Sequence, residues 1–201
     1  LTLTVASGTS YTTSSVITNG TAARSLVKSG AGTQILAGAN TYSGSTTLSA
    51  GVLGFGNSAA FGSGTVTLTA NSGVQAAMTG GTVPNAFVLN ATGTFDSQGF
   101  SNTLSGPISG AGVLTKIGAG TLTLTGSSSY TGNTNADFGT IVYGSGASTA
   151  SAKLYVGYGA GKAASVIQQS GVVLAFGTAT GGADVLSLGG AGGYGYYRNA
   201  G

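Results

Sequence analysis

Three carboxylates, Asp96, Asp137 and Asp184, are the whole supply of acidic side chains in this chain of 201 residues. Cutting a glycosidic bond takes two carboxyls roughly 5–10 Å apart, one to protonate the leaving oxygen and one to serve as base or nucleophile. Each of the three stands alone in sequence, in surroundings that suit a turn or a solvated face. Only a fold that stacks distant segments could bring two together. Histidine and cysteine are absent, which removes Ser-His-Asp chemistry, thiolate sites, disulfides and the commonest metal ligand. The sequence therefore implies no metal and no cofactor. Ser25-Leu26-Val27-Lys28 has the S-x-x-K spacing, but that pair works when a helix start sets the hydroxyl beside the amine. Here it runs into Ser29-Gly30-Ala31-Gly32, a strand and a turn. Gly157-Tyr158-Gly159-Ala160-Gly161-Lys162-Ala163 imitates a phosphate loop, yet Val156 stands where the first glycine belongs and Ala163 replaces the magnesium-binding hydroxyl. Gly181-Gly182-Ala183-Asp184 misses the spacing of a calcium-binding nonapeptide.

The tyrosines offer a different chemistry, that of contact surfaces. Tyr42 and Tyr130 each follow a polar turn, and Tyr155, Tyr158, Tyr194, Tyr196 and Tyr197 gather toward the C-terminus. A tyrosine ladder packs its rings and leaves its hydroxyls wet. Tyr155, Tyr158, Tyr194, Tyr196 and Tyr197, with the strand-forming Leu1, Leu3 and Val5, form a candidate interaction surface for sugars or for another copy of the chain. No catalytic residue is assigned.

The elements that must position these residues come from an internal repeat. The run from residue 26 to 56 returns eighty-eight positions later as residues 114–144, with Lys28, Gly30, Gly32, Gly38, Tyr42, Gly44 and Gly51 falling on Lys116, Gly118, Gly120, Gly126, Tyr130, Gly132 and Gly139. Such a repeat is one supersecondary unit that buries its apolar face only against a copy of itself. Thr121-Leu122-Thr123-Leu124-Thr125, Thr65 to Thr69 and Leu1 to Val5 alternate strictly, so Leu122, Leu124, Val66 and Leu68, with Leu36 and Leu53, should point inward and the threonines outward. Thr33 to Leu36, Val52 to Phe55, Ala86 to Leu89, Val113 to Lys116, Thr140 to Tyr143, Lys153 to Val156, Val172 to Phe176 and Asp184 to Leu188 read as further strands. Gly-Ser-Asn clusters between them read as turns, and helical spacing is missing. The prediction is an all-β, parallel β-helix of roughly ten coils and about 50 Å. Residues 1–145 hold both repeats (26–56 and 114–144). Residues 146–201 continue the solenoid in shorter Leu-x-Val/Leu-Gly coils. The two lysines should sit at equivalent places in two coils, with no catalytic role.

Gly112-Val113-Leu114-Thr115-Lys116-Ile117-Gly118-Ala119-Gly120-Thr121-Leu122-Thr123-Leu124-Thr125-Gly126, with Tyr130-Thr131-Gly132 and Gly139-Thr140-Ile141, resembles the autotransporter-associated β-strand repeat of bacterial passenger domains. Residues 26–56 resemble it too, with Ala39-Asn40-Thr41-Tyr42-Ser43-Gly44 in its turn. Gln34 departs from the pattern, and Asn135-Ala136-Asp137-Phe138 breaks the usual strand before Gly139. The resemblance implies a right-handed parallel β-helix exported to the cell surface or exterior.

Composition agrees with a scaffold. Only 4% of residues are charged, glycine fills 39 positions, and the net charge of +3 comes from scattered lysines and arginines. No basic patch supports nucleic-acid binding, and no apolar run reaches the ~18 residues of a membrane-spanning helix. A surface so poor in charge tolerates self-association. The chain opens without an initiator methionine or a signal segment and reads as a piece of something longer. The expected role is a structural extracellular solenoid, a fibre subunit, stalk or adhesin without catalytic activity, whose partners are other copies of itself and cell-surface glycans. A carbohydrate-binding or carbohydrate-active β-helix and an ice-binding solenoid are the alternatives.

Overall fold

The computed structural model describes residues 1–149, 151–175 and 186–200. Asp184 and Phe176, ends of two predicted strands, lie outside that set. Every described element is a strand, and the described strands pair in parallel. The chain forms a β-solenoid of about eight turns, two fewer than its length suggests.

Its sides are three stacked sheets. The first holds Thr2–Thr4, Leu26–Ser29, Thr46–Leu48, Val66–Leu68, Phe87–Leu89 and Ile108–Ser109. The second runs the whole length, from Ser10–Thr13 through Thr33–Leu36, Val52–Phe55, Ser72–Ala76, Gly93–Asp96, Leu114–Ile117, Thr134–Ala136 and Leu154–Val156 to Leu186–Leu188. The third begins midway, with Thr82–Val83, Asn102–Leu104, Thr121–Leu124, Phe138–Tyr143, Ala163–Gln169 and Tyr194–Ala200. A short pair, Ser148–Thr149 with Val173–Leu174, stands beyond the first sheet and is linked to it by a bridge from Ser127 to Ser148.

Alternation decides which side chains fill the tube. Leu36, Leu53, Val66, Leu68, Leu122 and Leu124 are buried while Thr121, Thr123 and Thr125 are half-exposed, as the pattern predicts. Phe55, Phe61, Phe87 and Phe95 run up the interior edge to face, with centroids 6.0, 6.3 and 5.3 Å apart. Rings in that geometry place positive edges on negative faces. Where a side has no strand, buried asparagines satisfy its backbone. Asn40 accepts from the Ile17 amide and donates to the Ala60 carbonyl, and Asn85 donates to Gly62 and Gly64.

The repeat does not return to the same side. Val27 pairs with Thr47, Thr47 with Thr67, Thr67 with Val88 and Val88 with Ser109, so four coils carry Val27 to Ser109. Its repeat mate Thr115 lies six residues further, around a corner, in the second sheet. The first copy therefore spans the first and second sheets, and the second copy spans the second and third. Lys28 and Lys116 are equivalent within the repeat yet stand on different sides of the solenoid, which corrects the expectation of equivalent coil positions. The strandless stretch moves as well. Residues 37–45 close the third side, whereas residues 125–133 stack on Ile108–Ser109 in the first.

Beyond residue 145 the second and third sheets continue, but the coils take more residues, not fewer. Tyr155 pairs with Ser187, 32 positions on, where Asn135 pairs with Tyr155 after 20. The Leu-x-Val-Gly motif is short, but the return between its copies is long.

Candidate functional site

Among the described residues the two aspartates, Asp96 and Asp137, are each engaged with a partner of their own; Asp184 lies outside the described residues. Asp96 accepts hydrogen bonds from the backbone amide (2.9 Å) and the side-chain amide of Gln98, a residue held at φ +52. Asp137 is spent on Lys162, 2.8 Å away. That ion pair and the Lys162 amide's bond to the Gly159 carbonyl make residues 157–163 a turn, with its lysine turned to a neighbouring coil. Ser25, just before the strand Leu26–Ser29, is exposed while Lys28 within it is buried, so the S-x-x-K spacing makes no dyad.

The two repeat lysines are wholly buried, a placement that sequence reasoning missed. Lys116 lies on an inward position of its strand and turns its ammonium back to the corner. There it donates to the carbonyls of Ile117 (2.7 Å), Gly118 (2.8 Å) and Phe138 (3.1 Å) and to Ser97 Oγ (2.8 Å). Lys28 repeats this on Ser29, Gly30 and Ala50. Each ammonium thus ties two coils together at a glycine corner, adding a donor to carbonyls of which Ile117 and Ser29 already accept from the Ser97 and Val5 amides of the coil beneath. Burial lowers both pKa values, that of Lys116 to about 8, partly opposed by Asp96. The signal available in sequence was a lysine at an inward strand position just before Gly-Ala-Gly.

Tyr42 and Tyr130 are also wholly buried, and their hydroxyls are not wet. Each shares a 2.6 Å hydrogen bond with the buried Thr46 or Thr134 four residues on. The inward threonine replaces water as partner, and burial raises the Tyr42 pKa against the opposing effect of Thr46.

The five C-terminal tyrosines divide among three settings. Tyr155 and Tyr158 meet on the second side with ring centroids 5.4 Å apart and planes tilted by 54°. Tyr197 packs partly against the core and donates to Gln168. Tyr194 and Tyr196 stand on the outer face of the third sheet, 80% and 57% exposed. At the other end Leu1 is exposed, Leu3 half-buried and Val5 buried, so Val5 contributes no side chain to a surface. Tyr11 and Val16, exposed nearby, were not singled out from the sequence.

A trough runs along the corner between the second and third sheets. Its wider part, about 730 Å³, is lined by Asp96, Gln98, Ile117, Ala119, Phe138 and Ala163 around Gly118 and Gly139. It continues across Thr140, Ser165, Tyr194 and Tyr196. Strand register sets its columns: Phe138 pairs with Ala163 and Ala163 with Tyr194, while Thr140 pairs with Ser165 and Ser165 with Tyr196. Thr140 and Ser165 hydroxyls meet at 2.8 Å. Among the described residues, no three histidine, cysteine or acidic side chains gather as a metal site.

Residues 26–54 and 114–142 match the passenger-associated-transport-repeat family. Over 136 residues, 67% of this chain, the sequence is 32% identical to the Adhesin BmaC autotransporter of Brucella suis biovar 1 (strain 1330). The chain spans only 4% of that relative's length. No solved structure matches it.

Proposed function

We propose, for a chain that belongs with the autotransporter passenger-repeat proteins of the bacterial cell surface, a role as a non-catalytic stalk segment whose coils stack end to end on further coils and, between copies, into a fibre. A structural or adhesive part at the surface is common ground with the adhesin relative. The stacking rests on one observation, the state of the two ends. At one, Thr2–Thr4 and Ser10–Thr13 are outermost in their sheets, beside the exposed Leu1, Tyr11 and Val16. At the other, Leu186–Leu188 and Tyr194–Ala200 are outermost, with Leu188 exposed. Each outermost strand turns a sheet edge toward the place where the next parallel strand of a solenoid would lie. Among the described residues no helix covers either end, and little charge opposes approach.

The non-catalytic reading is supported by the described acids: Asp96 is held by Gln98 and Asp137 by Lys162, so among the described residues these two form no free pair to act on a glycosidic bond. The ice-binding alternative loses its regular array. The outward column of the first sheet reads Thr2, Val27, Thr47, Thr67, Val88, Ser109, with valines interrupting the hydroxyls. Sedimentation velocity and negative-stain images of the purified chain test the stacking. Rods in multiples of one solenoid length are expected, and a strictly monomeric species at high micromolar concentration would remove the fibre and leave a solitary stalk.

A further inference from the structure

We infer that the trough at the corner of the second and third sheets is a binding site for a neutral oligosaccharide laid along the solenoid axis. The inference deepens the adhesive part of the proposed role and is independent of end-to-end stacking.

The corner carries more than the repeat needs. Lys28 and Lys116 bond to the carbonyls of Ala50 and Phe138, so these two residues hold the same structural place. Alanine suffices there in the first copy. In the second copy a phenylalanine stands 39% exposed over the trough, contributing only its backbone oxygen to the lysine. Two coil steps away in the same column, with only Ala163 between, stands Tyr194. Two steps between parallel strands are about 10 Å, so the two rings bracket a floor of small residues about as long as a disaccharide. Tyr196, Thr140 and Ser165 supply ring and hydroxyls along one margin, and the Asp96–Gln98 pair supplies acceptors and an amide at the far end.

The chemistry favours sugar over other occupants. A pyranose presents an apolar face of C–H groups and a rim of hydroxyls. Exposed aromatic rings take the first, while hydroxyl, carboxylate and amide groups take the second. Asp96 is the one charged residue among the lining residues described, so a polyanion finds no cation and a basic peptide only one carboxylate. The walls are open on the outer face, as a chain passing over several coils requires.

The test is binding of neutral oligosaccharides of two to six sugars, α- and β-linked, by array and then by titration calorimetry, with acidic oligosaccharides alongside. Binding of at least one neutral series is expected, weakened tenfold or more in Phe138→Ala and in Tyr194→Ala, and abolished in the double variant. Phe138→Ala restores the residue of the first copy, so its fold should survive. Phe138→Trp should keep binding, which separates loss of a platform from loss of structure. No neutral binding, preference for acidic sugars, or affinity unchanged in the double variant would overturn the inference. So would loss of self-association in the double variant without any sugar binding, which would assign the trough to a second copy. Stacking seen by sedimentation with no sugar bound would sink this inference and leave the stalk intact.

Discussion

A lysine ammonium enclosed in carbonyls is an unusual thing for a repeat to preserve. At Lys116 three carbonyls and a hydroxyl surround it with no carboxylate in contact, so desolvation is met by hydrogen bonds instead of by an opposite charge. Removing the donor takes one hydrogen bond from each of three carbonyls and from the Ser97 hydroxyl, and Lys116→Met should lower stability by about 2 kcal/mol, read from denaturant midpoints. The pH dependence has a definite sign. The folded-state pKa is about 8 against an ordinary 10.5, so between those values the unfolded chain holds more protons and stability from this group rises with pH. Lys28 is shifted the same way. Tyr143 and Tyr42 act oppositely: burial raises their values above the ordinary 10, so the stability they contribute is lost as pH climbs through the raised values. The unfolding midpoint should rise from about pH 7.5 to about pH 9.5 and fall at higher pH. Lys116→Met should flatten the rise and keep the fall. A midpoint that declines steadily above neutrality would contradict this account.

At the scale of the element, a corner is made by what it lacks. Gly139 sits at φ +70, and a Cβ there would lie 2.4 Å from the Gly118 carbonyl oxygen and 2.5 Å from that of Gly120 in the coil beneath. Gly161, at φ +74, faces open space. Gly139→Ala should therefore cost more than about 3 kcal/mol, since backbone of a stacked coil has nowhere to go, whereas Gly161→Ala should cost about 1–2 kcal/mol for the left-handed backbone alone. Thermal unfolding of the two variants gives the comparison. The same corners explain what could be read in the sequence. Strictly alternating strands such as Thr121–Leu124 announce both their existence and their buried face. Gly93–Asp96 and Ser72–Ala76 carry too few apolar residues for alternation to show, and become strands because the coils on either side pair with them. Asn135-Ala136-Asp137-Phe138 looked like a break. It forms a strand through Ala136, a turn at Asp137 and a new strand from Phe138, because Ala136 fills the buried place that Leu48 takes in the first copy. The lysine cages and the trough were invisible for a related reason. Both depend on residues about 20 positions apart meeting across coils, and a single sequence does not reveal which of the three sides a coil's residues occupy.

At the scale of the molecule, the unit of construction is the coil, even though the unit of sequence similarity is the longer repeat. The spacing between the two copies covers four coils and one further side, so the copies are rotated about the axis relative to each other, yet both fold. The three sides are therefore close to interchangeable, and each coil's stability comes from its neighbours above and below. This makes a deletion experiment decisive. Thr67 and Val88 occupy the same register position in successive coils, so removing residues 67–87 joins Val66 to Val88 and leaves each remaining strand facing a strand of its own sheet. Thr94 would then stack over Val52, as Gly73 does now. The shortened protein should keep its β-sheet circular dichroism, unfold cooperatively and lose only part of its stability, because one set of coil interfaces is gone and a similar set has formed. Removing residues 67–76 instead takes out half a coil, sets the third sheet's residues onto the second, and exposes Leu89 or its neighbours wherever the two-residue period is thrown out of phase. That variant should aggregate or unfold. If both deletions fold equally well, the sides do not depend on register. If neither folds, the solenoid is one cooperative block, and the interchangeability inferred from the rotated repeat is wrong.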